Sequence, residues 1–452
     1  MVAGCGLRQG MGFIAGDART QGTLFPTSLE ELIPEDHFCR VIDAFVNRLD
    51  IQRLGFVRAE AAETGRPGYD PRDLLKLYLY GYMQQIRSSR RLENECRRNV
   101  ELMWLLGRLC PDHKSIAEFR RLHREAVTQA GAELVHLART VGLIRGEWIA
   151  IDGSKFRAVS SVSSVHERVA VERYLESLES SDREDEPTVE NSAVAAALQK
   201  LRSHAEPEAG FMKTTQGMLP AYNVQTAVDA EHGLIVAQQV SDEPNDTRSL
   251  LPMAEAAQQA VGEPAAPIHV VADAGYSNGE QAAACESKNI LPHVPAHRGV
   301  NTRGNGKLFD RTAFQYQEQS NTMLCPAGHT LRSDGRKQRA IVYLARPEVC
   351  GACVLKSQCT VSPRRIVHRH VHEGALQRMQ QRATPAAMQL RRCTVEHPFA
   401  ILKYVIFGHP RFLLRGLEGT RAEMSLAVMA YNLKRMLNLM GGAALKSALA
   451  TI

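Results

Sequence analysis

The sequence predicts an α/β fold in which a mixed sheet carries helices and follows an all-α region. Three observations lead there. Residues 28 to 142 are rich in helix-start signals and contain no β-branched run. From Glu147 the texture changes to short apolar strands, first three and then strands alternating with helical stretches, the pattern of a mixed sheet with packed helices. A cysteine-rich stretch interrupts the later part of the chain, giving the region a separate insertion.

In chain order, residues 1–27 are glycine-rich and read as a flexible N-terminus. "GYDPRDLLKLYLYGYMQQI" then opens a helix, with Asp70 as N-cap, Pro71 at the first helical position and Asp73 in the first turn. "KSIAEFRRLHREAV" starts another, with Ser115 and Glu118 spaced as a capping box. Between them "SSRRLENECRRN" is short, polar and rich in arginine. Several short helices with exposed arginines suit a DNA-binding module of the helix-turn-helix kind, assigned here to residues 28–142.

"EWIAIDGSKF" reads as a strand ending at Asp152, and "AYNVQTAVDAEHGLIVAQQVSD" as two strands joined by a turn. "SLLPMAEAAQQAV" is helical, and "IHVVAD" is a strand ending at Asp273. "SNGEQAAACESKN" begins with a Ser277–Glu280 capping box, and "ILPHVPA" is again a strand. The acidic stretch 158–210 reads as a helical insertion, 320–362 as the cysteine-rich insertion, and 441–452 as a C-terminal tail.

Charge is unevenly spread. The whole chain carries a net +6, yet residues 361 to 415 alone hold ten basic side chains against two acidic ones. A second basic block spans residues 87 to 124. Two such blocks suggest a polyanionic partner. No run reaches the roughly 18 to 20 apolar residues of a membrane span, and the first residues lack a signal-peptide core. The expectation is a cytoplasmic, nucleoid-associated protein with no membrane partner, its cysteines thiols or metal ligands.

Asp152 and Asp273 each close an apolar strand beside a nearby glycine, Gly153 or Gly275, which leaves room for a ligand. On adjacent strands their like charges repel unless a cation neutralises both, and hard oxygen ligands favour Mg²⁺ or Mn²⁺. Either aspartate alone is equally well explained as a turn cap. In "RRCTVEHPFAILKY", Arg392, Glu396 and Lys403 fall on one helical face, a layout suited to metal and phosphate. Pro398 makes a helix kink or begin there, which sets Glu396 beside a helix N-terminus. A plain surface Arg–Glu pair is the simpler alternative. Cys350 and Cys353 have the C-x2-C spacing of a Zn²⁺ site, which Cys325 and Cys359 can complete, with His329 in reserve. Reduced thiols packed in a small subdomain explain the same cysteines.

The order "IAIDGSKF", "YNVQTAVD", "VVADAGYSN", the cysteine cluster, "VEHPFAILK" and "AVMAYNLKRML" resembles the DDE transposases of bacterial insertion sequences. "SLEELIPEDHFCRVIDAFV" through "KSIAEFRRLHRE" looks like the helical domain preceding their catalytic core. The resemblance spans roughly residues 24 to 440. It implies a ribonuclease H-like catalytic domain over 143–440, with Asp152, Asp273 and Glu396 as the catalytic acids holding two Mg²⁺. It also implies Arg392 and Lys403, matching R-x3-E-x6-K, as phosphate-binding groups. A tyrosine common three positions before that arginine is Gln389 here.

The function so implied is cleavage and strand transfer of DNA at the element's terminal inverted repeats and a target, with a homodimer holding two ends together. A metal-dependent nuclease that never joins, or a silent DNA-binding descendant of a transposase, are the competing readings.

Overall fold

The computed structural model describes residues 28–58, 68–161, 206, 208–214, 216–262, 266–296, 308–309, 311–337 and 340–451. The expected flexible N-terminus and most of the acidic insertion lie outside these residues.

Seven helices precede the first strand among the described residues: Leu29–Leu32, Phe38–Arg48, Pro71–Met83, Ser89–Cys96, Val100–Leu105, His113–Leu122 and Arg124–Thr140. The Pro71–Met83 helix begins as its sequence dictates, with the Asp70 side chain accepting from Arg72 N. At the start of the His113–Leu122 helix, Asp112 rather than Ser115 is the cap. Asp112 accepts from the backbone of Lys114 and Ser115 and from the Ser115 hydroxyl, so the helix opens three residues earlier than the Ser115–Glu118 spacing suggests.

The main sheet has six strands: β1 (Trp148–Arg157), β2 (Gly210–Thr214), β3 (Gly217–Asp229), β4 (Ile235–Ser241), β5 (Ile268–Val271) and β6 (Ile290–His293). β3 lies antiparallel to β1 and also pairs β2 and β4, while β5 and β6 continue parallel from β1. β1 does not stop at Asp152. Its antiparallel pairing with β3 continues to Arg157, because β3 is long enough to serve it, whereas its parallel pairing with β5 ends at Ala150.

The helices and this sheet bury one continuous apolar core, running from Val41 and Leu75 through Ile151 and Val270 to Met429. The Gly416–Met440 helix is its axle, buried from Ala422 through Leu433. Asn432 ties that helix to the sheet: its Oδ1 accepts from Ile235 N at 3.0 Å and its Nδ2 donates to Ile235 O at 2.8 Å. Residues 442–451, expected as a tail, form a helix with Leu445 and Leu449 buried, and Arg48 donates to Leu449 O.

A second, antiparallel sheet of five strands occupies Gln315–His370 around its own small cluster, which includes Met323, Leu331, Tyr343 and Val367. Among the described residues no helix is long and apolar enough to cross a membrane.

Candidate active site

The two aspartates meet at the edge where the parallel strands end. β1 and β5 are neighbours in register Ala150↔Val271, so Asp152 and Asp273 both lie two residues beyond the last parallel pair. Asp273 caps a short 3₁₀ turn, its Oδ1 accepting from Gly275 N at 2.8 Å. Asp152 accepts from Gly153 N. Burial pushes the Asp152 carboxyl above its ordinary range and the nearby Asp273 adds to this, while Arg391 pulls in the opposite direction.

Arg391 joins the two. Its Nη2 lies 2.8 Å from Asp152 Oδ1 and 3.5 Å from Asp273 Oδ2. The residue comes from the Pro385–Ala400 helix, which seats Ala387 and Val395 on Ala150 and Val271 of the sheet. Arg391 stands four positions before Val395, on the same helical face, and so reaches the sheet edge. Arg392 and Glu396 are each one residue further round and are exposed. The structure therefore brings Asp152 and Asp273 together with Arg391; Arg392 and Glu396 lie exposed on the same helix, and among the described residues the three acids do not form a group spaced to hold a metal.

Pro398 neither breaks nor starts this helix. It is buried inside the last turn, and the chain runs on into a π-helical segment, Ile401–Ile406. Glu396 thus lies in the helix's C-terminal part, not at an N-terminus, and the expected helix-end phosphate seat is corrected accordingly. The wider π turn sets Lys403 over the Phe156 and Phe399 rings, half-buried. Burial lowers the Lys403 pKa, and the Asp152 charge opposes the shift.

Sequence reasoning missed a third carboxylate. Asp246, in the loop after β4, accepts at Oδ1 from Asn223 Nδ2 and Gln225 Nε2, both at 2.7 Å, and from Lys155 Nζ at 3.4 Å. Register explains the grouping: Gln225 lies opposite Gly153 and Asn223 opposite Lys155. Both amide side chains are fully buried, and Gln225 also accepts from the Tyr276 hydroxyl. A methyl added at Gly153 would overlap Gln225 and sit 2.8 Å from Asp246 Oδ1; one at Gly275 would sit 2.9 Å from Asp273 Oδ1. The signal was present in two polar residues alternating along an otherwise apolar strand.

Beside Asp152 a cleft of about 240 Å³ is lined by Lys155, Arg157, Lys213, Lys403 and His409, with Tyr404 exposed at its rim. A basic cleft next to paired carboxylates suits a phosphodiester strand. Further off, Arg90, Arg91, Arg97 and Arg98 are exposed around the Ser89–Cys96 helix, where Glu93 and Glu95 pair with the last two.

The four cysteines 325, 350, 353 and 359 line one small cavity with Phe309 and Leu331. Burial raises the Cys359 thiol, and the other three sulfurs add to it. Among the described residues no group of three or more His, Cys, Asp or Glu side chains is spaced to grip a metal as it stands.

Two family models match the chain. Residues 27–122 match one described as a transposase domain (DUF772), and residues 208–433 match the transposase DDE domain. The second match covers half of the 452 residues and includes Asp246, Asp273, Arg391, Glu396 and Lys403. No curated protein matches the chain. Taken with the paired aspartates just past the β1–β5 pairing, these matches identify the chain as a member of the DDE transposase family.

Proposed function

We propose that this transposase binds the ends of an insertion sequence and catalyses divalent-ion-dependent strand cleavage followed by strand transfer. One observation carries the reading: Asp152 and Asp273 hold equivalent places on adjacent parallel strands and share one cation. DDE transposases generally use divalent metal ions such as Mg²⁺. The donor set fits such an ion, since two hard carboxylates converge and Gly275 leaves free the space beside Asp273 Oδ1 that a methyl would crowd.

In this reading Asp152, Asp273 and Glu396 would hold the metal. Bound there, Mg²⁺ or Mn²⁺ supplies activation of the attacking oxygen and stabilisation of the leaving one. Lys403 and the exposed Arg392 hold DNA phosphates on either side of the carboxylates. Asp246 fixes Lys155 and the Gln225 amide at the cleft floor. The sheet order supports a ribonuclease H-like catalytic domain over 143–440, with 28–142 as the end-recognising part. Cys325, Cys350, Cys353 and Cys359 would hold a Zn²⁺ ion for the second sheet once drawn together around it; metal analysis of wild type and Cys350→Ser checks this. Two copies act together, one for each element end.

A strand-transfer assay with the element's own terminal repeats tests the function. Joined product is expected with Mg²⁺. Cleavage without joining leaves the nuclease reading, and DNA binding without either leaves the silent one. Glu396→Gln is expected to keep DNA binding while cleavage falls by orders of magnitude; persistent cleavage removes Glu396 from the site.

A further inference from the structure

Among the described residues, Arg391 is the cation in ion-pair contact with both aspartates. Its guanidinium occupies the space in which any bridging cation must lie. The side chain is mostly shielded, yet its Nε is buried with no partner among the described residues. Among the described residues the two carboxylates are its ion-pair partners and set its position. The helix beneath is anchored independently, through Ala387 and Val395 on the sheet. A long side chain on a fixed helix can leave the carboxylates without moving the backbone, and the neighbouring Arg392 is already exposed to solvent.

A divalent ion and a guanidinium compete for Asp152 Oδ1, since their charges repel at contact distance. A DNA phosphate offers arginine a planar, charge-assisted partner that competes with the aspartates. We propose that Arg391 is a competing cation that occupies the aspartate pair and yields it to divalent ions when DNA phosphate draws the guanidinium away. The proposal rests on Asp152 and Asp273 being the ion ligands. Linkage makes the coupling reciprocal: DNA tightens ion binding, and ions free Arg391 for DNA.

The test is Mn²⁺ titration of the full-length chain, read by electron paramagnetic resonance without activity. Without DNA, Arg391→Gln is expected to bind Mn²⁺ about tenfold more tightly than wild type or better. Arg391→Lys, which keeps the charge, is expected to stay near wild type. Adding a short duplex is expected to raise the wild-type affinity but not that of Arg391→Gln, after subtracting the duplex's own Mn²⁺ uptake measured with Asp152→Ala. Unchanged or weaker binding by Arg391→Gln overturns the proposal, because Arg391 would then be holding the carboxylates in place for the ion. If Asp152→Ala loses Mn²⁺ while wild type and Arg391→Gln bind equally, this inference alone fails. If Asp152→Ala binds like wild type, the ligand reading fails and takes the proposal with it.

Discussion

Arg87 and Glu423 form a buried ion pair between the helical region and the core, Nη1 to Oε1 at 2.8 Å, with Glu423 fully shielded from solvent. Arg87 also donates to the carbonyls of Phe407 and Arg411 and lies over the Phe407 ring, while Glu423 accepts from Leu413 N and Leu414 N. One arginine thereby fixes the segment that follows the Lys403 turn. Arg87→Ala leaves Glu423 charged and buried alone, and is expected to cost about 3–5 kcal/mol of stability. Urea unfolding of the purified variants measures this, and a loss below about 1 kcal/mol would show that the surrounding backbone donors suffice.

Asp246 predicts a contrast between two substitutions. Asp246→Ala removes one acceptor from each of two buried amides, leaving Asn223 Nδ2 on Glu243 O and Gln225 Nε2 on Asn223 Oδ1, and is expected to destabilise by about 1–2 kcal/mol. Asp246→Asn keeps an acceptor oxygen and is expected to lie closer to wild type by thermal melting. Gly153→Ala, whose methyl meets the same Gln225–Asp246 pair, is expected to lower DNA cleavage with the sheet still formed, checked by circular dichroism beside the cleavage assay.

Lys403 predicts a change in salt response. If it contacts a backbone phosphate, Lys403→Ala weakens DNA binding and reduces the slope of log affinity against log salt by about 0.9. Binding isotherms at several salt concentrations give the slope directly. An unaltered slope takes Lys403 out of the phosphate path.

His269 and His293 predict a pH dependence. His293 Nδ1 must donate to Arg382 O at 2.8 Å, so its Nε2 accepts from His269 Nδ1 at 2.9 Å, and both rings pack on Trp148. Burial lowers the pKa of both from the usual 6.5. A depressed histidine favours the folded state above the unfolded value and loses that contribution as pH falls toward the folded one. Stability is therefore expected to decline on acidification below about 6.5, and the decline to be shallower in His269→Phe, which keeps the stack on Trp148. Melting curves across that window test both.

The two aspartates could be picked out of the sequence because a β-branched run followed by an acidic residue and a glycine is a local pattern, although β1 in fact runs on past Asp152 to Arg157. Their convergence depended only on β1 and β5 being parallel neighbours. Arg391 escaped notice because charge spacing shows which residues share a face, but not which face meets the sheet. Val395, Phe399 and Leu402 mark the buried stripe, and tracing it back four positions from Val395 would have pointed to Arg391. Asp246 sits in an acidic loop that looks solvated, and only the pairing of β3 with β1 places Asn223 and Gln225 beneath it. The helix cap at Asn278, which accepts from Glu280 N and Gln281 N, displaced the expected Ser277 for a local reason: an Asx side chain one residue later fits the same donors.

The π turn between Ile401 and Ile406 holds more residues per revolution than the helix that feeds it. The seven-residue interval from Glu396 to Lys403 is consequently not a neutral spacer. Deleting one residue there would let the coil relax to ordinary pitch and rotate the lysine off the Asp152 side, and inserting one would overshoot it. Indels in this short stretch should disable the protein even where every acid and base is retained.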